Sequence, residues 1–332
     1  MSSERALSLE VETIVTARSR ALALFSPLLF VILCGSSPLS AEMRAAPIFM
    51  GRGPSWPSAC SDGHRLAFMM NANRAAEIFV FDLADTTKPP VAVTDSPKWD
   101  GKPSWSPDCD RIAFMSGRSG NEDIWVYSFA TGACTQMTFS YEGNGIRAQE
   151  WGPAWSPDGS RIAFSSDRSG DDDIWWVSDT GGEPVRVTHR TLPRARDQER
   201  YPAWSPDGKR IAFASQTTGN WDLWVAVVDD STAKPVQLTA DTTGEFSPAW
   251  SPNGRWIAFV SDRTGSFDLF AMPAAGGPAI QLTKNPGPDN TPCWSPDGQR
   301  IYYSSMRDED VGLWVIEGLE EVLGPDYAAR KK

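Results

Sequence analysis

From about Pro47 to Gly318, apolar residues come in short runs such as Ile112-Ala113-Phe114 and Ile124-Trp125-Val126, separated by clusters of Gly, Pro, Asp and Ser. Runs of this length between turn signals predict β-strands, and no stretch carries a sustained helical period. One unit is written six times, anchored on Trp56, Trp105, Trp155, Trp204, Trp250 and Trp294 at steps of 49, 50, 49, 46 and 44 residues. Each unit reads as a Pro-x-Trp strand, a Ser-Pro-Asp-Gly turn, an Arg-Ile-Ala-Phe strand, a polar Gly-containing loop, an Ile/Leu-Trp-Val strand, a Gly turn and a Val-Gln-Leu-Thr strand. The turn chemistry fits, because Pro presets φ, Asp caps its own turn and Gly accepts positive φ. The pattern predicts an all-β fold, a six-bladed β-propeller of four-stranded antiparallel blades. The sixth unit stops after Leu313-Trp314-Val315. The apolar segment Ala46–Met50 is therefore expected to supply its outer strand and close the ring.

The first forty residues have a different texture. Arg18 and Arg20 precede an apolar run from Ala21 to Cys34, and small residues follow through Ser40 and Ala41. That order predicts a secretory signal over residues 1–41, a propeller over 42–318 and a peripheral tail over 319–332. The apolar run is shorter than the roughly 20 residues of a spanning helix, so no integral membrane span is expected. Cys34 follows Leu33 where a lipoprotein signal wants a small residue, which disfavours a lipid anchor. With 42 acidic against 31 basic side chains the net charge is −11, which argues against nucleic acid as a partner.

In a four-stranded propeller the blade-to-blade connection and the loop between second and third strands share the channel-mouth face. Three residues before the Pro of Pro-x-Trp stand Asp100, Glu150, Glu199, Glu245 and Asp289, with Gly51 in the first unit. They predict a partial ring of carboxylates, suited to a hard cation such as a structural calcium ion or to a basic segment of a partner. Arg118, Arg168, Arg263 and Arg307 recur on the same face and offer the competing outcome, ion pairing within the repeat. A second acidic set, Glu77, Asp123, Asp173, Asp222 and Asp268, is expected to close loops. Trp99, Trp151, Tyr201, Trp221, Phe246 and Phe267 fall in loops of the same face and are candidates to grip a peptide or stack on a sugar. Arg147, Arg190, Arg194 and Arg196, in longer interblade loops, are candidates for binding a carboxylate or phosphate.

The wording Pro153-Ala154-Trp155-Ser156-Pro157-Asp158-Gly159, Ile162-Ala163-Phe164, Asp167-Arg168-Ser169-Gly170 and Asp173-Ile174-Trp175 resembles the TolB-type propeller repeat. The resemblance spans about Pro47 to Gly318. It implies a periplasmic interaction partner of envelope proteins. The family's separate N-terminal α/β domain has no counterpart here, so roles that depend on it are not carried over. Related propeller repeats accompany the hydrolase domain of prolyl-oligopeptidase-like enzymes and form oligogalacturonate lyases. This chain has neither room for that hydrolase domain nor the histidines for a lyase metal site.

No nucleophile elbow, phosphate loop or close pair of His ligands is present. The two histidines, His64 and His189, are expected on opposite faces. In an exported chain the cysteines can oxidise. Cys109, in a tight turn, is expected to pair with Cys134 in the later turn of the same blade, with Cys60 as competing partner and Cys293 a buried thiol. The expectation is thus a non-catalytic, periplasmic or secreted module that binds a protein or peptide segment at the channel mouth, without a cofactor. The alternatives are a glycan-binding protein, a polysaccharide lyase, or an accessory subunit of an envelope complex.

Overall fold

The structure, a computed structural model, describes residues 43–72, 75–139, 141–142, 146–189, 198–230, 232–307, 310–324 and 327. The predicted signal segment and Arg190, Arg194 and Arg196 lie outside the described residues. The chain divides between Ser40 and Ala41, and all described residues fall in the second part. Among them no helix is long and apolar enough to cross a membrane.

Six four-stranded antiparallel sheets form a six-bladed propeller. The innermost strands are Ser55–Ala59, Asp100–Trp105, Glu150–Trp155, Glu199–Trp204, Glu245–Trp250 and Asp289–Trp294. In the sixth blade the outer position is taken by Arg44–Met50, antiparallel to Asp310–Glu317 with Ala45 opposite Ile316 and Met50 opposite Gly312. The expected closure is what the chain adopts, and it leaves no unpaired edge on that strand.

Second strands such as Arg111–Ser116 are buried on both faces, because each blade is covered by a neighbour on either side. The core is accordingly a series of slabs between blades. Ala113, Ile124 and Val126 of the second blade, for example, meet Trp155, Ile162 and Phe164 of the third. Trp105, Trp155, Trp204, Trp250 and Trp294 are all buried, and Trp204 and Trp294 donate their indole N–H to Ala154 and Ala249 of the preceding blade at 3.1 and 3.0 Å.

Register corrects the first repeat. Ser58 and Ala59 pair with Ala67 and Leu66, as Ser104 and Trp105 pair with Ala113 and Ile112. Ala59 therefore holds the position of the buried tryptophan, and Pro54 rather than Gly51 holds that of the carboxylate. Trp56 instead matches Lys102, three residues before the tryptophan. The Pro54-Ser55-Trp56 wording imitates the motif out of register, and only the pairing separates it from Pro57-Ser58-Ala59.

The tail is corrected as well. Part of it is packed rather than peripheral: Leu319 and Tyr327, with Leu323 of the short helix Glu320–Leu323, are buried against the slab between blades five and six. Asn253 donates to the Tyr327 carbonyl.

The disulfide joins Cys60 to Cys109, with Cα atoms 5.7 Å apart, and Cys134 and Cys293 are free. The expected Cys109–Cys134 pair is thus overturned. Cys134 opens the outer strand Cys134–Gln136 of its blade, whereas Cys60 stands in the adjacent blade's tight turn, where the other repeats place Ser. Cys109 has φ 61° where the equivalent turns carry glycines such as Gly159 and Gly208. Its left-handed backbone costs about 1 kcal/mol, and the crosslink between blades offsets it.

Two outcomes follow from this packing. Deletion of residues 42–51 exposes the edge of Asp310–Glu317 and is expected to lower the melting temperature by about 10 °C or more; an unchanged thermal unfolding curve by circular dichroism would refute the closure. Non-reducing digestion is expected to yield the Cys60–Cys109 crosslinked peptide with Cys134 and Cys293 alkylatable, and reduction is expected to remove about 2–4 kcal/mol of stability.

Candidate functional site: the channel mouth

The carboxylates that the repeat places at the start of the second to sixth inner strands do not form an open ring. Asp100, Glu150, Glu245 and Asp289 are 0% exposed. Arg118 reaches Asp100 at 2.5 Å with Ser116 donating alongside, Arg168 pairs with Glu150, and Arg263 meets Glu245 at 3.1 Å. Each of these arginines also lies over an aromatic ring of the third strand, Trp125, Trp175 or Phe270, which fixes its guanidinium against the acid. A cation at any of these three acids would have to displace a guanidinium, so the donor set does not suit a hard metal. Arg307 departs from the pattern, donating to the Tyr303 hydroxyl at 3.0 Å, and Asn285 donates to Asp289.

The acids also tie one blade to the next. Thr138, at the end of the second blade, accepts the Ile124 amide and donates to Glu150 of the third, and Thr188 joins Ile174 to Glu199 in the same way. This explains the Thr of the Val-Gln-Leu-Thr motif. The second acidic set behaves as expected of loop closure: Ser119, Ser169, Thr218 and Thr264 donate to Asp123, Asp173, Asp222 and Asp268.

In the fourth blade Thr217 stands where its neighbours carry the arginine. Burial pushes Glu199 up to about 8, and it pushes Glu150 up to about 7 against the pull of Arg168. Burial likewise raises the carboxyls of Glu245 and Asp289.

Six residues just inside these acids share an unusual backbone. Trp56, Lys102, Gly152, Tyr201, Ser247 and Thr291 all have φ between 49° and 61° and precede the prolines of the inner strands. Proline disfavours the right-handed conformation for the residue before it, and the strand pairing is irregular at this point, as between Trp151 and Ala154. The resulting bulge turns these six positions, five of which carry a side chain, toward the axis. With Pro57, Pro103, Pro153, Pro202, Pro248 and Pro292 they line a central space of about 120 Å³. Trp56 and Tyr201, from opposite blades, stack with centroids 5.7 Å apart and planes 15° from parallel.

A cavity of about 460 Å³ opens from this waist to the mouth, lined by Trp56, Tyr201, Phe246, Phe267, Met306 and Val311 among others, with Ser247, Asn290, Thr291 and Ser304 supplying polar atoms. Of the predicted aromatics the structure brings Tyr201, Phe246 and Phe267 into this cavity. Trp221 supports it from behind, 5.6 Å from Phe246, which meets Phe267 edge-on at 5.9 Å. Trp99 and Trp151 are half-buried elsewhere, and Trp151 is capped by Arg200, itself held to Asp172 at 2.9 Å. Arg147 ends the small hairpin formed by Tyr141–Glu142 and Ile146–Arg147. Sequence reasoning missed Trp56 and Lys102; their signal was a bulky or charged residue directly before a repeat proline.

The cluster Cys60, Asp62 and Cys109 has metal-ligand spacing, but both sulfurs are in the disulfide. The fold is thus a closed six-bladed propeller with an aromatic cavity at its mouth. The TolB β-propeller domain model matches residues 53–199 and 190–318, and the chain belongs to that family. It is similar to the structure of a putative TolB from Agrobacterium tumefaciens, with 25% identity and TM-score 0.59 over 70% of this chain and 81% of that one. It is also similar to TolB from Acinetobacter baumannii, with 21% identity and TM-score 0.59, covering 76% of this chain and 63% of that longer one. A gluconolactonase from Xanthomonas campestris, 14% identical over 83% of this chain and 89% of that one, shares the fold with TM-score 0.63. Comparison with curated proteins finds no match.

The protonation of Glu199 has a stability consequence. A carboxyl whose folded pKa is about 8 holds a proton that the unfolded chain releases near its ordinary 4.5, so its effect on stability is most favourable at low pH and is lost as pH rises through 8. Glu199→Gln keeps an acceptor for Thr188 without the charge. The variant is expected to melt within about 1 °C of wild type near pH 5 and several degrees higher near pH 9; parallel curves at both pH values would show that Glu199 is ionised throughout.

Proposed function

We propose that this chain is an exported, non-catalytic interaction module whose propeller receives a protein or peptide segment in the aromatic cavity of the channel mouth. The observation that carries the reading is the cavity itself: a concavity of about 460 Å³ with apolar walls and a few placed hydroxyl and amide groups, opening onto the axis of a rigid ring. Concave apolar surface with sparse polar anchors suits a side chain delivered by an extended segment. Membership of the TolB propeller family supports a binding scaffold, and the signal-like texture of residues 1–41 supports export. The glycan reading called for open Trp99, Trp151 and Trp221; one is capped by Arg200 and another packs on Phe246, so the walls favour a segment with apolar side chains.

Ser247→Trp tests the site. Trp56 and Tyr201 show that a large ring is accepted at this position of the repeat, so the variant fills the cavity without a new backbone demand. Crosslinked retention from an envelope fraction is expected to yield a discrete protein with wild type and to fall about tenfold or more with the variant. Equal retention by both would place the interaction elsewhere.

A further inference from the structure

The waist of the channel carries a cation where the sequence led us to expect anions. Lys102 is the charged member of the six inward-turned residues, which otherwise are Trp56, Gly152, Tyr201, Ser247 and Thr291. Its side chain runs past the next blade at a point where that blade has no side chain: a Cβ on Gly152 would lie 3.9 Å from Lys102 Cδ. Nζ ends 4.6 Å from the Trp56 ring centroid and 5.1 Å from that of Tyr201. Among the described residues no carboxylate lies within ion-pairing distance of it. The acids two residues before the channel-lining position in three of the blades, Asp100, Glu150 and Glu245, are each committed to an arginine in the wall.

Two aromatic faces hold an ammonium group in place but leave its N–H donors without an anionic acceptor. The remaining charges that act on it are Arg200, which adds positive potential, and Glu122, which opposes it; burial and Arg200 drive Lys102 down to about 8. The space around Nζ, about 120 Å³, has room for a carboxylate group. It shares Trp56, Tyr201, Ser247 and Thr291 with the larger cavity, so the two adjoin at the waist.

We propose that the waist is an anion site, which receives a carboxylate on an apolar or aromatic body, the carboxylate against Lys102 Nζ and the body against Phe246 and Phe267. The inference rests on the cavity being the binding site and specifies the chemistry of what enters it. It reverses the sign expected from the sequence: the ligand brings negative charge into an acidic protein, at a point where Asp100, Glu150 and Glu245 are already paired with arginines. A peptide ending in a large apolar residue and a free arylalkyl carboxylic acid present the same chemistry.

Calorimetric titration of the full mature chain near pH 7 separates them, with two matched pairs: 3-phenylpropionate and its carboxamide, and a pentapeptide ending in Phe as free acid and as amide. In at least one pair the acid is expected to bind about tenfold or more tightly than the amide. That preference is expected to shrink to about twofold or less in Lys102→Met, which keeps the length of the side chain without its charge. Preference in the peptide pair alone assigns the site to chain termini, and preference in the small pair assigns it to small carboxylates. Equal or absent binding of acid and amide by the wild-type protein overturns the proposal without recourse to any variant, and a preference that survives Lys102→Met overturns it too. If a protein is retained by wild type and lost with Ser247→Trp while neither pair shows acid preference, the cavity stands as the binding site and the anion assignment falls.

Discussion

The ring depends on a carboxylate at the start of five of its six inner strands. An unpaired acid with no exposure would be costly, and the chain offsets that cost with a guanidinium from the same blade at Asp100, Glu150 and Glu245 and with a threonine hydroxyl from the blade before at Glu150 and Glu199. The arginine is in turn pinned over a third-strand ring. The acid is therefore a junction where the wall of one blade, the end of its predecessor and the loop above meet. Burial pushes the paired Glu150 up to about 7 and pushes Glu199, where Thr217 replaces the arginine, further, to about 8.

Because these acids belong to the wall, the electrostatics of the axis are set by other residues. The bulge before each proline hands one position per blade to the channel, and the repeat does not specify what occupies it. Blades one and four place rings there and stack them across the axis; blade two places Lys102; blade three withdraws with Gly152 and so makes space for that lysine. The structural part of the repeat is kept in wording from blade to blade within the chain, and the residue that departs from it is the one that faces the channel.

The fold was legible because it is repeated: six recurrences of turn chemistry and strand wording specify blade number, strand number and ring closure independently. What was not legible was register. In the first repeat Pro54-Ser55-Trp56 satisfies the same wording as Pro57-Ser58-Ala59, and only the pairing of Ala59 with Leu66 shows that Trp56 is at the axis rather than in the core. The site suffered from a related limit. A carboxylate recurring at one position signals its place on a face, not whether a neighbour neutralises it, and the arginines eighteen residues downstream of Asp100, Glu150 and Glu245 meet them only once the second strand folds back. The disulfide partner was misread because Cys60 and Cys109 lie in neighbouring blades, whose turns touch although they are separated by 49 residues.

Closure by Arg44–Met50 also sets an order of events in synthesis. The strand that completes the sixth blade leaves the ribosome ahead of every other part of the propeller, yet its partner Asp310–Glu317 is made near the end. Throughout translation, and throughout any threaded passage across a membrane, the growing array presents this strand unpaired at one end and a bare blade at the other. Both ends remain open to foreign strands until the last blade arrives, and the two then satisfy each other in one step. The closing pair is thus the last to form, and until it does the chain carries two more open strand edges than the finished ring.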